Sequence, residues 1–441
     1  MKIVADKAIS LQKERILKAL FKFRGSTAEQ LLTALNPTQY PYGFFEKGTT
    51  TKRPAKLFKI YTALSELCID GLVVKDPIPP KNKKYLYSLS RLGLEIAHML
   101  YDIEPGYIGT GYNNDYGDFS YEVYQPPRGR LLHHMLLVDF FLQMERLKNE
   151  YENLNSEYRD NRYISEKYQW SPGELIKDDE KSYFFRPDAE IKIQDKVYWV
   201  EIDRGTEFFE ELKNKFEGYE RYLNYLSSMD RHIPEGILFV TEKREQVHGF
   251  KRRWKTVTEA FFSKMKGWAA RVNLSAISVD KVDEFVLREA EEKYRFADFA
   301  KKVGYYLSPL NEKLRLIDAN SGISWERVVF SITPGNESDH LFIYERFEGF
   351  ETRAIARVNE FISRFSEIKR NVREFSRIKA ITPVFYYHDA AAATVIPRTF
   401  DNPEQIDQFL KSAYYLKTKG EPTWRNAIGE VINTNNPLVT R

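Results

Sequence analysis

One cysteine, Cys68, is all that 441 residues contain, so no internal disulfide holds this fold and a cytoplasmic setting is the expectation. Long apolar runs are missing as well. None approaches the roughly 18 residues that a bilayer span requires, and the opening MKIVADKAISLQKERIL has no signal-peptide core. The Gly-rich stretch GYIGTGYNN is not closed by a GK[ST] triplet, which excludes a phosphate-binding loop of that type. Net charge is only +4, but it is unevenly spread. Residues 1–100 carry 17 Lys or Arg against 8 Asp or Glu, a net +9, which leaves −5 for the rest. A basic end on a near-neutral chain of this length points to several domains, one of them facing nucleic acid. The plainer reading is a solvated basic surface.

The basic end has helical rhythm. Leu11, Ile16, Leu17, Leu20 and Phe21 recur at the helix period over 11–22. Gly25 breaks that helix. Ser26 or Thr27 starts a second over 27–35, with Glu29 three residues after Ser26 as in a capping box, and Asn36-Pro37 ends it. A third helix runs from near Pro54 to about Ile69, with Leu57, Ile60, Tyr61, Leu64, Leu67 and Cys68 inward. Lys52, Lys56 and Lys59 share another face, beside Arg53. After Gly71 come a strand at Leu72–Val74, the tip PIPPKNKK, a strand at Tyr85–Leu89 and a helix at Arg91–Leu100. Three helices and a basic-tipped hairpin are the order of a winged helix-turn-helix. Its third helix would enter the major groove of double-stranded DNA, while Lys81, Lys83 and Lys84 meet phosphates. The same fold also serves as a protein-binding module.

Residues 106–129 read as a linker or ordered loop. Arg130 to Lys148 is an amphipathic helix. It carries His133 and His134, about 100° apart and therefore unable to chelate one metal together; packing or capping is the expectation for each. Asp188 then opens a strand at Ala189–Ile193, a polar turn follows, and Val197–Ile202 returns with Glu201, Asp203 and Arg204 at its end. Two adjacent strands place Asp188 and Glu201 at one sheet end, where paired carboxylates suit Mg²⁺ or Mn²⁺. A turn and a strand end are the ordinary explanation of the same residues. The helix that follows has an apolar stripe of Phe208, Leu212, Phe216, Tyr219, Leu223 and Leu226, with Lys215 at its edge as an active-site cation or a snorkelling surface lysine. Gly236–Thr241 is a buried strand. Lys251, Arg252 and Arg253 in the basic stretch 242–255 are candidate DNA-backbone contacts.

Pro187-Asp188 with Glu201-x-Asp203 resembles the PD-(D/E)xK nuclease motif, with Asp203 at the motif's lysine position. The order of elements is that of a restriction-endonuclease-like α/β core. The longer string RPDA…VEIDRGTE, together with YLYSLSRLGLEIA and LLHHMLLVDFF, resembles the replication-relaxation family over roughly residues 10–255. That resemblance implies a protein of a plasmid or other mobile element, related to relaxases built from a winged helix and a PD-(D/E)xK-like domain. It implies Asp188 and Glu201 as metal ligands, Asp203 in the lysine position, and Arg204 on the scissile phosphate.

The expected architecture is therefore multi-domain α/β: 1–105 a winged helix-turn-helix, 130–285 the nuclease-like domain and 286–441 a C-terminal α/β domain. Glu345-Arg346, followed by a helix and the strand ITPVFYYHD, echoes Asp203-Arg204 and its helix and strand, as a degenerate second copy would. The expected function is a metal-dependent, site-specific DNA nickase in plasmid replication or conjugative mobilisation, with water or a tyrosine such as Tyr219 or Tyr222 as nucleophile. Its partners would be an origin-like duplex, other replication or conjugation proteins and a second copy of itself. The alternative is an inert nuclease fold acting as an accessory or regulatory DNA-binding factor.

Overall fold

The structure is a computed structural model that describes residues 2–4, 7–40, 43–45, 55–79, 84–164, 185–242, 247–292, 313–317, 327–332, 339–371, 376, 378–387, 396–418 and 423–433. In chain order the elements are β1 (Lys2–Val4), β2 (Lys7–Ile9), α1 (Leu11–Phe23), α2 (Ala28–Leu35), α3 (Ala55–Ile69), β3 (Val73–Pro77), β4 (Tyr85–Leu89), α4 (Arg91–Leu100), α5 (Tyr121–Tyr124), α6 (Leu131–Glu150), β5 (Ser156–Asp160), β6 (Ala189–Ile193) and β7 (Lys196–Asp203). There follow α7 (Phe209–Ser228), β8 (Gly236–Thr241), α8 (Val247–Lys264), β9 (Asn273–Ser278) and a helix over 282–292, here α9. The chain continues with β10 (Lys313–Ile317), β11 (Arg327–Ile332), β12 (Asp339–Arg346), α10 (Arg353–Asn371), β13 (Ile378–Tyr387), α11 (Pro403–Lys411), β14 (Tyr414–Lys417) and β15 (Thr423–Arg425). The fold is mixed α/β, as expected. Among the described residues no helix is long and apolar enough to cross a membrane.

Two compact units divide the chain: 1–207 with 238–245 and 277–290, and 208–237 with 246–276 and 291–441. In the first, α1, α2, α3 and α4 surround the antiparallel hairpin β3-β4. Thr27, not Ser26, is the N-cap of α2, and its reciprocal partner is Gln30 rather than Glu29. The reason is that Ser26 is already committed to the backbone: it exchanges both N–H···O bonds with Tyr87 at 2.9 Å and so widens the hairpin. At the end of α3, Gly71 takes φ 71°, and Leu72 N–H closes on Leu67 O at 2.9 Å. This left-handed stop needs no side chain and turns the chain straight into β3.

Residues 105–120 form an ordered loop that leads into α5. Tyr116 and Tyr124 are buried in the same core as Phe21. Arg24 fastens α5, into which this loop runs. Its guanidinium donates to the carbonyls of Val123, Tyr124 and Gln125 and to Asn161 Oδ1, at 2.7–3.0 Å.

The helix α6 differs from the amphipathic expectation. Every residue from His134 to Met144 is buried, because α2 packs on one side and β5 and β7 on the other. A helix enclosed in this way needs no polar stripe. The strands β5, β6 and β7 pair antiparallel, and Gln194 at φ 57° makes the tight turn between the last two. The sheet order is β5-β6-β7-β8-β9. In the second unit the order is β10-β11-β12-β13-β14-β15. There β10, β11 and β12 are antiparallel, and β12, β13 and β14 run parallel through the crossover helices α10 and α11, which parallel pairs require.

Candidate functional site

The site is built where the β6-β7 ladder ends. Ala189–Val200 is the last pair of the register, and beyond it Asp188 N–H donates to Val200 O at 2.9 Å. Pro187 closes the strand because it has no N–H to donate. The Asp188 side chain takes over at this frayed end: Oδ2 accepts from Ile202 N–H at 2.8 Å. Its other oxygen, Oδ1, lies 2.9 Å from Nε2 of His133 on the first turn of α6. Since a carboxylate only accepts, the imidazole donates. The Asp188 carboxylate is thus fixed at both oxygens.

Along β7, Tyr198, Val200 and Ile202 belong to the core under α6. Strand alternation puts Glu201 and Asp203 on the opposite face. Both are nonetheless buried. Asp203 accepts from Gly205 N–H at 2.8 Å, so the side chain in the motif's lysine position organises the turn that follows the strand. Arg204, half-buried, donates from Nε to Glu242 Oε1 at 2.6 Å at the end of β8. On the same face of β6, Glu190 accepts from Arg159 Nη2 at 2.6 Å, Tyr112 OH at 2.5 Å and Trp199 Nε1 at 3.2 Å.

Among the described residues no three His, Cys, Asp or Glu side chains form a group that could hold a metal ion. Asp188 and Glu201 offer two carboxylates. Carboxylates are the donors that hard ions such as Mg²⁺ and Mn²⁺ take; Asp188 reaches toward α6 through His133, and Glu201 lies on the other face of β7.

His133, expected to pack or cap, bonds the Asp188 carboxylate instead. Its neighbour His134 does pack: it is buried, with Nε2 at 3.3 Å from Gly25 O, and burial, reinforced by Arg24, lowers it to about 3. The 100° step between them was the available signal. With His134 turned into the core, His133 has to point off it.

Of the expected DNA contacts, Lys56 and Lys59 are exposed on α3, and Lys84 holds its ammonium 5.0 Å over the Phe44 ring. Lys52, Arg53, Lys81 and Lys83 lie outside the described residues. In the second unit, Lys251 and Arg252 are exposed on α8, while Arg253 on α8 and Lys215 on α7 are half-buried. Tyr219 is 1% exposed, which leaves its hydroxyl poorly placed as a nucleophile.

The Glu345-Arg346 pair is sealed in an ion network. Glu345 is fully buried and accepts from Arg357 at 2.7 Å. Arg346 pairs with Glu351 at 3.0 Å and with Glu292, which also faces Arg353 at 3.5 Å. Two positions before Glu345, Ile343 pairs with Val328 in the β11-β12 register.

Residues 17–234 match the model of a family described as replication-relaxation. No curated protein matches the chain.

Proposed function

We infer, for a chain whose residues 17–234 belong to the replication-relaxation family, that it acts on the DNA of a plasmid or other mobile element and nicks one strand at a specific site. Residues 1–105 serve as a winged helix-turn-helix, with α3 in the major groove and the β3-β4 hairpin along the backbone. Residues 130–285 serve as a PD-(D/E)xK-like nuclease core. Residues 286–441 form a second α/β domain of the same strand and helix order, without the carboxylate pair.

The observation that carries this reading is the Asp188 carboxylate at the end of the β6-β7 ladder, held by Ile202 N–H and His133. Asp188 and Glu201 would hold Mg²⁺ or Mn²⁺, and the ion would supply stabilisation of the charge that develops on the phosphodiester. His133 keeps Asp188 in its orientation. Arg204 turns from Glu242 to the phosphate as DNA enters, a cation where the motif's lysine is missing. Water is the nucleophile that this arrangement favours over Tyr219.

A second reading has its own support. Asp203 stands in the lysine position, and the neighbouring cation Arg204 is already engaged by Glu242. On this reading the core is retired, and the chain is an accessory or regulatory factor at an origin.

One assay separates the two. Supercoiled plasmid carrying the neighbouring DNA is incubated with the protein and Mn²⁺ or Mg²⁺, beside Asp188→Ala. Open circles that need metal and vanish in the variant establish the nickase. Specific gel shifts without cleavage establish the accessory factor.

A further inference from the structure

We propose that Phe58 and Thr62 on α3 read thymine methyl groups in the major groove and thereby set which duplex the chain selects. This rests on the DNA-binding reading above and deepens it.

Leu57, Ile60, Ala63, Leu64 and Leu67 fill the buried side of α3. Positions 55, 58, 59, 62, 65 and 66 are left outward at helical spacing. The chemistry of that face changes along its length. At its C-terminal end Glu66 and Asp70 pair with Lys13 at 3.0 and 3.1 Å, and acidic groups keep that end off the phosphates. The N-terminal half has the exposed Lys56 and Lys59, and Lys56 donates to a neutral partner, Gln39 Oε1, at 2.8 Å. The half of a recognition helix that meets base edges is the N-terminal one.

Phe58 stands beside Lys59 on the outward side of α3, with 61% of its surface exposed. Its place in the core is already taken by Leu57 and Ile60, so the ring has no role in holding α3 down. One turn on, the Thr62 hydroxyl donates back to Phe58 O at 3.0 Å. With its oxygen turned to the helix, Thr62 offers its γ-methyl outward. Two apolar groups one turn apart cannot read a pattern of donors and acceptors. The apolar feature on the edge of a base pair in the major groove is the C5-methyl of thymine, and Phe and the Thr methyl are suited to it. The flanking lysines position without specifying. The neighbouring cations Lys56 and Lys59 also favour a polyanion over an apolar protein partner.

The test selects duplexes from a random pool with the full chain, without divalent metal so that binding alone is read. The selected duplexes should share thymines. Replacing one by uracil removes only the methyl and should weaken wild-type binding about fourfold. Phe58→Ala or Thr62→Ala should lose discrimination between thymine and uracil at its position, while Lys59→Ala weakens both duplexes alike. Both apolar positions are exposed, so unchanged circular dichroism is expected of the variants. Wild-type binding blind to the methyl, or discrimination kept in the Phe58→Ala/Thr62→Ala double variant, overturns the proposal while DNA binding stands; this face would then be a protein-docking surface. Enrichment of no duplex overturns the DNA-binding reading and the proposal with it.

Discussion

His133 Nε2 and Asp188 Oδ1 are 2.9 Å apart, and this bond joins the buried helix α6 to the carboxylate at the end of β6. If Asp188 holds a metal ion as proposed, a histidine that orients it matters by about 10–100-fold in metal affinity or rate. His133→Ala is therefore expected to lower nicking or Mn²⁺ affinity by about that factor and leave the melting temperature nearly unchanged. His134→Ala should do the reverse, losing about 2 kcal/mol of stability with little effect on Mn²⁺ affinity. Equal effects of the two variants in both measurements would show that the pair is only structural.

Arg204 and Glu242 form a half-exposed ion pair, and such pairs contribute about 0–1 kcal/mol. If Arg204 serves the phosphate, Arg204→Ala should cost about 10² in nicking rate and little in stability. Glu242→Gln frees the guanidinium and should retain nicking. Single-turnover rates on supercoiled plasmid decide this; equal losses in the two variants would reduce the pair to a brace.

Two buried groups on α6 bend the acid side of the stability curve in opposite directions. His134, lowered to about 3 by burial, takes up its proton on unfolding, so its contribution is lost as pH falls from about 6.5 toward 3. Asp139 is raised to about 6 by burial. Its contribution is fully present below the ordinary carboxylate value and is lost as pH rises through 6. Each slope is about 1.4 kcal/mol per pH step within its window. Urea denaturation between pH 4 and 8 should show a shallower acid loss in His134→Gln and a steeper one in Asp139→Asn than in the wild type.

Asp139 also holds the turn before α3. It accepts from Phe44 N–H at 2.7 Å and Phe45 N–H at 2.9 Å, and a Cβ at Gly43 would meet its carboxyl carbon at 2.5 Å. Gly43→Ala is expected to cost about 1–3 kcal/mol, read as a fall in the denaturation midpoint. A midpoint equal to wild type would mean that this turn is not held in solution.

Lys56→Ala and Lys59→Ala should each flatten the dependence of log affinity on log salt by about 1 and weaken all duplexes evenly. Fluorescence anisotropy at several salt concentrations reads this. A slope left unchanged in both variants would take α3 off the DNA.

Much of this architecture was legible because it rests on local signals. Leu57, Ile60, Leu64 and Leu67 recur at the helix period, Gly71 stops α3, and the Ala189–Ile193 and Val197–Ile202 runs flank a polar turn. The capping box moved by one residue because Ser26 pairs with Tyr87, a contact across 61 positions that no local pattern announces. The strand β5 went unread: SEYRD is polar, and its pairing with β6 gives it order that its own composition does not. The carboxylates Asp188 and Glu201 were legible from motif spacing. Their supports were not, since His133, Glu242 and the Glu190 cluster reach their partners through the fold.

The four hydrogen bonds from Arg24 to the loop at 123–125 and to Asn161 make the chain a ruler. A connection pinned in this way is a brace between α1, α5 and the turn after β5. On the nickase reading proposed above, the cut would then fall a fixed number of base pairs from the sequence recognised. Five base pairs inserted between them would turn the scissile strand to the far side of the duplex, while ten would bring it back.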